Sequence, residues 1–475
     1  MHYNKVNIFN NLEEKIMEYR IEKDSMGELK IDNNKYYGVQ TVRALDNFKI
    51  SNLTLPLDFI KAVTMIKMSA ATVNVKLGLL DERIGDAIIK AASEILGGNY
   101  SDQFPIDIYQ TGSGTSTNMN VNEVIANRAC EILGGEKGDK QLCHPNDHVN
   151  KGQSSNDVIP SAIHIALALK VETLLLPTME NFMRLLYDRA NEFMNIIKIG
   201  RTHLMDATPV TLGQEFSAYG RQIELSIGRI KGALNFLYEL PLGGTAVGTG
   251  INTHKDFGKL TVEEISSITG TNFYQAKNLF EGLSCKDSVV YFSGALNTVA
   301  CSIMKIANDL RLLNSGPRCG LAEITLPSLQ PGSSIMPGKV NPVIPEAAIQ
   351  VAATVMGLHQ SISIAGSSGL LELNVMMPLI GYNILFMTEI LTNIVVHLNE
   401  KCIANLTPNV DRCNDYVEWS MALVTPLAAK IGYDRAAEIA YEAYKEKKKV
   451  KDLVVERGIL SLDEAEELFN PKNMI

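Results

Sequence analysis

The sequence has 475 residues, of which 46% are hydrophobic, and this composition predicts a soluble globular protein with a large core and roughly two to four domains. Its formal net charge of −9 argues against a nucleic-acid partner, because binding to phosphates requires a basic surface. No uninterrupted apolar run reaches the ~18 residues of a membrane-spanning helix, and the charges within residues 1–15 are atypical of a signal peptide, so we expect a cytoplasmic protein without a membrane partner.

The first part of the chain, residues 1–153, is predicted to be a small domain of mixed elements. Turn residues at Met26-Gly27 and at Asp32-Asn33-Asn34 flank alternating residues, which predicts a hairpin between Tyr19 and Thr41. Two helical patterns follow, and a Gly-Gly pair ends the second: Leu57–Leu79 and Asp81–Leu96.

Residues 154–406 carry long helical patterns and are predicted to form a central helical bundle. The first pattern runs from Pro160 to Ile197, and Pro177 is expected to kink it. A further helix is expected from about Pro378 to Glu400. Between these lies a seam of eight apolar residues at alternating spacings of three and four: Val289, Phe292, Leu296, Val299, Ile303, Ile306, Leu310 and Leu313. Such a seam, flanked by further apolar residues, is typical of a helix packed in a multi-helix bundle.

The last part of the chain, residues 407–475, is rich in strong helix formers and is predicted to be a small helical domain. The fold class is therefore mainly α, with a long central helical bundle between a smaller mixed N-terminal domain and a small helical C-terminal domain.

One loop stands out from the helices: residues 332–346, with the sequence GSSIMPGKVNPVIPE. Its glycines and prolines cannot sustain a helix, and its apolar side chains Ile335 and Met336 are expected to anchor it against a scaffold so that it presents polar groups. A phosphate-binding P-loop is rejected, because five residues rather than four separate its glycines and a valine replaces the required Ser or Thr. Pro345 suits the first turn of a helix, which puts Glu346 near a helix N-terminus. A purely structural turn is the alternative.

Three further stretches are rich in hydroxyl and amide side chains: residues 111–129, 144–160 and 200–209. The last is expected to place Thr202 and His203 in a short connection between two long helices. Each stretch alone could be helix-capping chemistry, since Ser, Thr, Asn and Asp are the preferred N-cap residues. Five other histidines have no pairing pattern and are interpreted as structural: His2, His164, His254, His359 and His397.

Together the four polar segments offer neutral donors together with Lys339 and His203, a set that suits a small carboxylate anion. The seven cysteines show neither a CxxC motif nor metal-ligand spacing, so reduced thiols and no metal are expected. No cofactor is implied.

Four segments resemble the shared regions of the fumarase/aspartase superfamily and follow one another in the same order. Along the chain they are SGTSTNMNVNEV, HPNDHVNKGQSSNDV, GRTHLMDATP and GSSIMPGKVNP. Within the superfamily the chain is most similar to class II fumarase, through GSGT, HPND and SSN. This resemblance implies reversible hydration of fumarate to L-malate in the tricarboxylic acid cycle, by anti addition and elimination through an aci-carboxylate carbanion. It also implies a homotetramer whose active sites are shared by three subunits. Aspartate ammonia-lyase is the alternative, and a non-catalytic helical protein, such as a lens protein, is a further one.

The resemblance also assigns residues by position. The catalytic residues would be Ser333 as base, His203 as the other acid/base group and Glu346 as the carboxylate that orients it. The substrate-binding residues would be Ser113, Gly114, Thr115, Ser154, Ser155, Asn156, Thr202, Ser334, Lys339, Val340 and Asn341. A second, non-catalytic dicarboxylate site would comprise His144, Pro145, Asn146 and Asp147. Gln141 stands where some family members have an arginine, which weakens the expectation for that second site.

Overall fold

The computed structural model describes residues 19–475, so the expectation drawn from residues 1–15 lies outside the described part of the chain. Within that part there are seventeen α-helices. They are α1 (Val39–Asn47), α2 (Leu57–Lys76), α3 (Glu82–Leu96), α4 (Thr115–Ile132), α5 (Ser155–Lys170), α6 (Leu176–Glu192), α7 (Leu212–Leu234), α8 (Phe257–Thr269), α9 (Leu279–Ser284), α10 (Asp287–Leu313), α11 (Val343–Gly366), α12 (Met377–Leu398), α13 (Val410–Trp419), α14 (Val424–Ile431), α15 (Tyr433–Glu446), α16 (Val450–Glu456) and α17 (Leu462–Leu468). The prediction of a mainly α fold is confirmed.

The strands of the described chain are short and pair only two at a time. They are β1 (Tyr19–Asp24), β2 (Gly27–Asp32), β3 (Ile197–Thr202), β4 (Met205–Thr211), β5 (Glu239–Leu240), β6 (Tyr274–Gln275), β7 (Ile324–Thr325), β8 (Gly369–Leu370), β9 (Leu373–Asn374) and β10 (Thr407–Pro408). The predicted N-terminal hairpin is confirmed as β1 paired antiparallel with β2, with Asp24 opposite Gly27.

The chain divides into two compact units, each built from segments that are distant in sequence. The first consists of residues up to 166, of 238–286 and of 365–382, and in it α2 packs against α3 and α8. The three-part division at 153 and 406 stays a prediction.

The second unit consists of residues 167–237, 287–364 and 383–475, and in it α7 packs against both α6 and α10. All eight seam residues of α10 are buried, which confirms the bundle helix predicted from their spacing. The C-terminal helices of this unit enclose an apolar cluster that includes Leu427, Ile439 and Leu453.

The irregularity expected at Pro177 is found immediately before it. A single π-helical turn, Val171–Leu175, separates α5 from α6, and Pro177 lies in the first turn of α6, where its missing N–H does no harm. The helix ends at Glu192 rather than near Ile197, because Ile197 begins β3.

By length and composition four helices could cross a membrane: residues 155–192, 287–313, 343–366 and 377–403. The expectation from the sequence counted uninterrupted apolar residues, whereas these helices qualify with charged residues among their apolar ones. Three of the four have most of their apolar window buried inside the protein, whereas only 22% of that of α11 is buried.

Candidate active site

In the first unit, hydroxyl groups from two predicted segments meet. Ser113 Oγ lies 2.8 Å from Thr115 Oγ1, which in turn lies 2.7 Å from Ser155 Oγ. The turn that makes this possible requires a glycine at position 114, whose φ is +72° and whose absent Cβ would approach Ile159 to 2.9 Å. The segments at 111–129 and 144–160 thus contribute to one hydroxyl cluster.

The second of these segments is held by a buried carboxylate that the sequence did not single out. Asp157 Oδ1 accepts a hydrogen bond from Ser154 N at 2.9 Å, and Oδ2 accepts from Gly243 N and Thr245 N at 3.1 and 3.0 Å. Burial raises the pKa of Asp157 to about 6, while the three N–H groups and Lys67 oppose that shift. Asn156 Nδ2 donates to Ala246 O at 2.7 Å, so its amide is held against the same 243–246 loop.

In the second unit, the two ends of the loop that begins at Gly332 are bonded to each other. Gly332 N donates to Lys339 O at 2.7 Å, and Asn341 Nδ2 donates to Gly332 O at 2.8 Å. A Cβ at Gly332 would approach Asn341 N to 2.7 Å, so glycine is required where the two ends of the loop meet. The expectation that the loop's apolar side chains anchor it is wrong for the single chain, because Ile335 is 83% exposed. The backbone hydrogen bond from Gly332 to Lys339 and the side-chain amide of Asn341 hold the loop instead.

Ser333 lies at the start of this loop, and its hydroxyl faces backbone donors. Its Oγ accepts hydrogen bonds from Ile335 N at 3.3 Å and from Met336 N at 3.1 Å. Lys339 is exposed and has no ion-pair partner among residues 19–475. The loop therefore presents a hydroxyl that is supplied with N–H donors and a cation that is free to meet an anion.

His203 lies at the tip of a β-hairpin, which corrects the expectation of a short connection between two helices. Strands β3 and β4 pair with Thr202 opposite Met205, so His203 and Leu204 form the turn. Both have left-handed backbones, with φ of +55° and +61°, and both are exposed. Two residues without glycine's freedom at these positions store backbone strain at the point where the histidine is presented.

A buried ion cluster supports the base of this hairpin. Glu323 has a fully buried side chain that forms two ion pairs. Its Oε2 lies 3.1 Å from Lys198 Nζ, and its Oε1 lies 2.9 Å from Arg201 Nη1. Lys198 also contacts Glu215 Oε1 at 2.8 Å, and burial raises the pKa of Glu215. This cluster could not be predicted from the sequence, because a lysine within a strand is normally assumed to face solvent.

The segment of the predicted second site begins with a histidine that acts as a cap. His144 Nδ1 accepts hydrogen bonds from Asn146 N at 3.1 Å and from Asp147 N at 3.2 Å. Beside it lies a cavity of about 680 Å³, also lined by Arg43, Lys140 and Thr115. The cavity therefore joins His144 and Asn146 to the first-unit hydroxyl cluster. Its lining carries both signs of charge, since Asp24 and Glu123 line it too and Asp24 pairs with Arg43 at 2.8 Å.

Comparison with known proteins identifies the family. A lyase family model matches residues 27–357, and a model of the fumarase C C-terminus matches residues 423–475. The chain is 50% identical over 459 residues to mitochondrial fumarate hydratase of Rattus norvegicus, covering 96% of this chain and 90% of that protein. It is 50% identical to class II fumarate hydratase of Rickettsia bellii, covering 96% of this chain and 99% of that protein. The chain belongs to the class II fumarase family. The crystal structure of class II fumarase from Schistosoma mansoni agrees with this, at 40% identity and a TM-score of 0.93, covering 96% of this chain and 99% of that one.

The three residues that resemble the class II fumarase catalytic set lie on separate elements of the second unit. His203, Ser333 and Glu346 all belong to the second unit, with Glu346 in the first turn of α11 as predicted, yet no hydrogen bond joins any two of them among residues 19–475. The role of Glu346 in orienting His203 therefore stays a prediction, as do the roles of the other site residues.

Proposed function

We propose that this protein catalyses the reversible hydration of fumarate to L-malate. The observation that carries the proposal is membership of the class II fumarase family over nearly the whole chain, with every predicted catalytic position filled by a chemically suitable residue. The reaction is a hydro-lyase step of the tricarboxylic acid cycle.

Ser333 is assigned the removal of the C3 proton of malate. A serine hydroxyl is a weak base, and two N–H groups directed at Oγ stabilise the alkoxide that a base requires. The carbanion that forms spreads its charge into the neighbouring carboxylate, which becomes an aci-carboxylate with additional negative charge. Lys339 and the second N–H of the Asn341 amide are assigned to stabilise that charge.

His203 is assigned the proton transfer to and from the C2 oxygen on the opposite face, with Glu346 orienting its ring. The hydroxyl cluster of Ser113, Thr115 and Ser155 is assigned to a substrate carboxylate, since hydroxyl groups can rotate to donate to its oxygens. The remaining proposed substrate-binding residues are Gly114, Ser154, Asn156, Thr202, Ser334 and Val340.

The test is direct. Purified protein mixed with L-malate should produce a rise in fumarate absorbance, and fumarate should give malate in the reverse direction. A rise with L-aspartate and none with L-malate would move the assignment to aspartate ammonia-lyase. Activity on neither compound would support a non-catalytic protein.

Replacing Thr115 by valine should raise the KM for L-malate about tenfold with a smaller change in kcat, because the hydroxyl contacts substrate in both the ground and transition states. Valine has nearly the same shape but removes the central hydroxyl of the cluster, so the measurement is a full KM and kcat determination. Thr72→Val is the matched control, since the Thr72 hydroxyl only donates to Met68 O within α2. An unchanged KM for Thr115→Val would remove Thr115 from the carboxylate site.

A homotetramer with active sites shared by three subunits is proposed as the working assembly. Support comes from α11, an apolar helix that is largely uncovered in the single chain and that carries exposed Ala353, Gly357 and Ile364 on one face. A second copy of this chain would cover that face. Shared sites would also explain why no hydrogen bond joins the three proposed catalytic residues within residues 19–475.

Replacing Ala353 by glutamate is therefore expected to shift the assembly toward smaller species, because a charge would be buried without a partner. Light scattering coupled to size-exclusion chromatography measures this, and activity should fall with the tetramer fraction. Ala437→Glu, on the exposed face of α15, introduces the same side chain and should leave both unchanged. A tetramer that persists with Ala353→Glu would remove α11 from the interface.

A second dicarboxylate site is proposed at His144, Pro145, Asn146 and Asp147, supported by Lys23 and Lys140, which line the adjacent cavity. We also propose a cytoplasmic location, supported by seven free cysteines, none in a disulfide. Equilibrium dialysis that compares malate binding by Lys140→Met and wild-type protein tests the dicarboxylate site. Subcellular fractionation tests the cytoplasmic location.

A further inference from the structure

Lys67 is a fully buried lysine in the middle of α2. Its ammonium donates to three side-chain amide oxygens: Asn118 Oδ1 at 2.7 Å, Asn150 Oδ1 at 2.8 Å and Gln153 Oε1 at 3.0 Å. No carboxylate of the described chain pairs with it, although Asp157 is close enough to act on it electrostatically. Burial lowers the pKa of Lys67 to about 7. A core that needed only packing would not require a buried ammonium, because desolvating a charge is costly.

The three amides belong to the two segments that build the hydroxyl cluster. Asn118 lies one turn beyond Thr115 on α4, and Gln153 lies two residues before Ser155. The Thr115–Ser155 contact therefore joins the two segments through their hydroxyls, and Lys67 joins them a second time through their amides.

The amides are also bonded to one another, in an arrangement that directs their oxygens toward the ammonium. Asn118 Nδ2 and Asn122 Nδ2 both donate to Asn150 Oδ1, at 3.1 and 3.2 Å, and Asn150 Nδ2 donates to Gln153 O at 3.1 Å. Removing the ammonium would leave three amide oxygens without their shared donor, one of them buried and two half-buried. The two segments would then relax toward other pairings.

We propose that Lys67 is a positioning residue that fixes the spacing between α4 and the 153–156 segment, so that Thr115 and Ser155 can bind one substrate carboxylate together. The proposal rests on the proposed function of the hydroxyl cluster. It predicts an effect on substrate binding rather than on the chemical step, because the carboxylate is bound in both the ground and transition states.

The test compares Lys67→Met with Lys76→Met, a matched substitution at an exposed lysine on the same helix that pairs with Glu264. For Lys67→Met we expect the KM values for L-malate and fumarate to rise about tenfold or more, with kcat per folded tetramer within about threefold. Lys76→Met should resemble the wild type. Lys67→Gln, which keeps one donor, should give an intermediate KM. A lower amount of active enzyme with unchanged KM, or failure of both Lys67 variants to fold, would assign Lys67 to the core and overturn the proposal.

Hydrogen–deuterium exchange separates this proposal from the proposed function. In Lys67→Met, amides of residues 113–118 and 150–157 should exchange faster, while exchange in the rest of α2 stays unchanged. If the wild type lacks activity on malate, the proposed function fails, and the exchange result still decides whether Lys67 holds the two segments. Unchanged exchange in both segments would overturn the positioning role even in an active enzyme.

Discussion

Replacing Ser333 by alanine is expected to lower the kcat for malate dehydration by about 10²–10⁴-fold, the range that a positioned acid/base group typically contributes. The reason is that alanine removes the oxygen that receives the C3 proton, while the substrate carboxylates keep their other contacts. KM should therefore change little, and the elution volume on size-exclusion chromatography should match that of the wild type.

The hydroxyl of Ser333 also holds its own turn, through Ile335 N and Met336 N, so the substitution could act by loosening the loop. The two explanations differ in kinetics, because a loosened loop weakens substrate binding and raises KM, whereas a lost base lowers kcat alone. Ser328→Ala, at an exposed serine shortly before the loop, is the control and should leave both parameters unchanged. Near-normal kcat in Ser333→Ala would reject the assignment of Ser333 as base.

The long helices could be predicted because their residues repeat a local rule. In α10 every third or fourth residue from Val289 to Leu313 is apolar and buried, so the spacing alone identifies the helix and its packed face. The turns of the N-terminal hairpin and the glycine pair after α3 were found for the same reason, since turn chemistry is also local.

The hairpin that carries His203 could not be predicted in this way. Its turn uses two left-handed residues, His203 and Leu204, where a tight hairpin normally shows Asn-Gly or Gly-Gly. Its first strand buries Lys198, which hides the alternation that identifies a half-buried strand. The burial of Lys198 depends on Glu323, a residue more than a hundred positions away that neutralises Lys198 and Arg201.

The candidate site, too, could be predicted only in part from the sequence. The polar segments were identifiable because hydroxyls and amides accumulate where helices leave little reason for them, and the resemblance then assigned their roles. The groups that hold those segments in place, such as Asp157 and Lys67, were missed. One signal was available: Asn118, Asn120 and Asn122 are poor helix formers, and buried amides within a helix imply an unseen polar partner.

Replacing Lys339 by methionine is expected to lower kcat by at least about 10²–10³-fold, which is the cost of removing one donor to a developing oxyanion. In the proposed mechanism, the carboxylate assigned to Lys339 already carries one charge and gains a second only when the C3 proton leaves. The ammonium therefore stabilises the transition state more than the bound substrate, so kcat should fall by a larger factor than KM rises.

The dependence on salt gives a readout that a loss of loop structure would not reproduce. Lys339 is exposed and has no ion-pair partner in residues 19–475, so it acts as a local positive charge on a protein whose net charge is −9. In the wild type, kcat/KM should decline as ionic strength rises, because salt screens the attraction between the dianion and this lysine. Lys339→Met should flatten that decline, whereas Lys259→Met, at an exposed lysine of α8, should preserve it. A salt profile in Lys339→Met as steep as that of the wild type would mean that the substrate's charge is met by some other group.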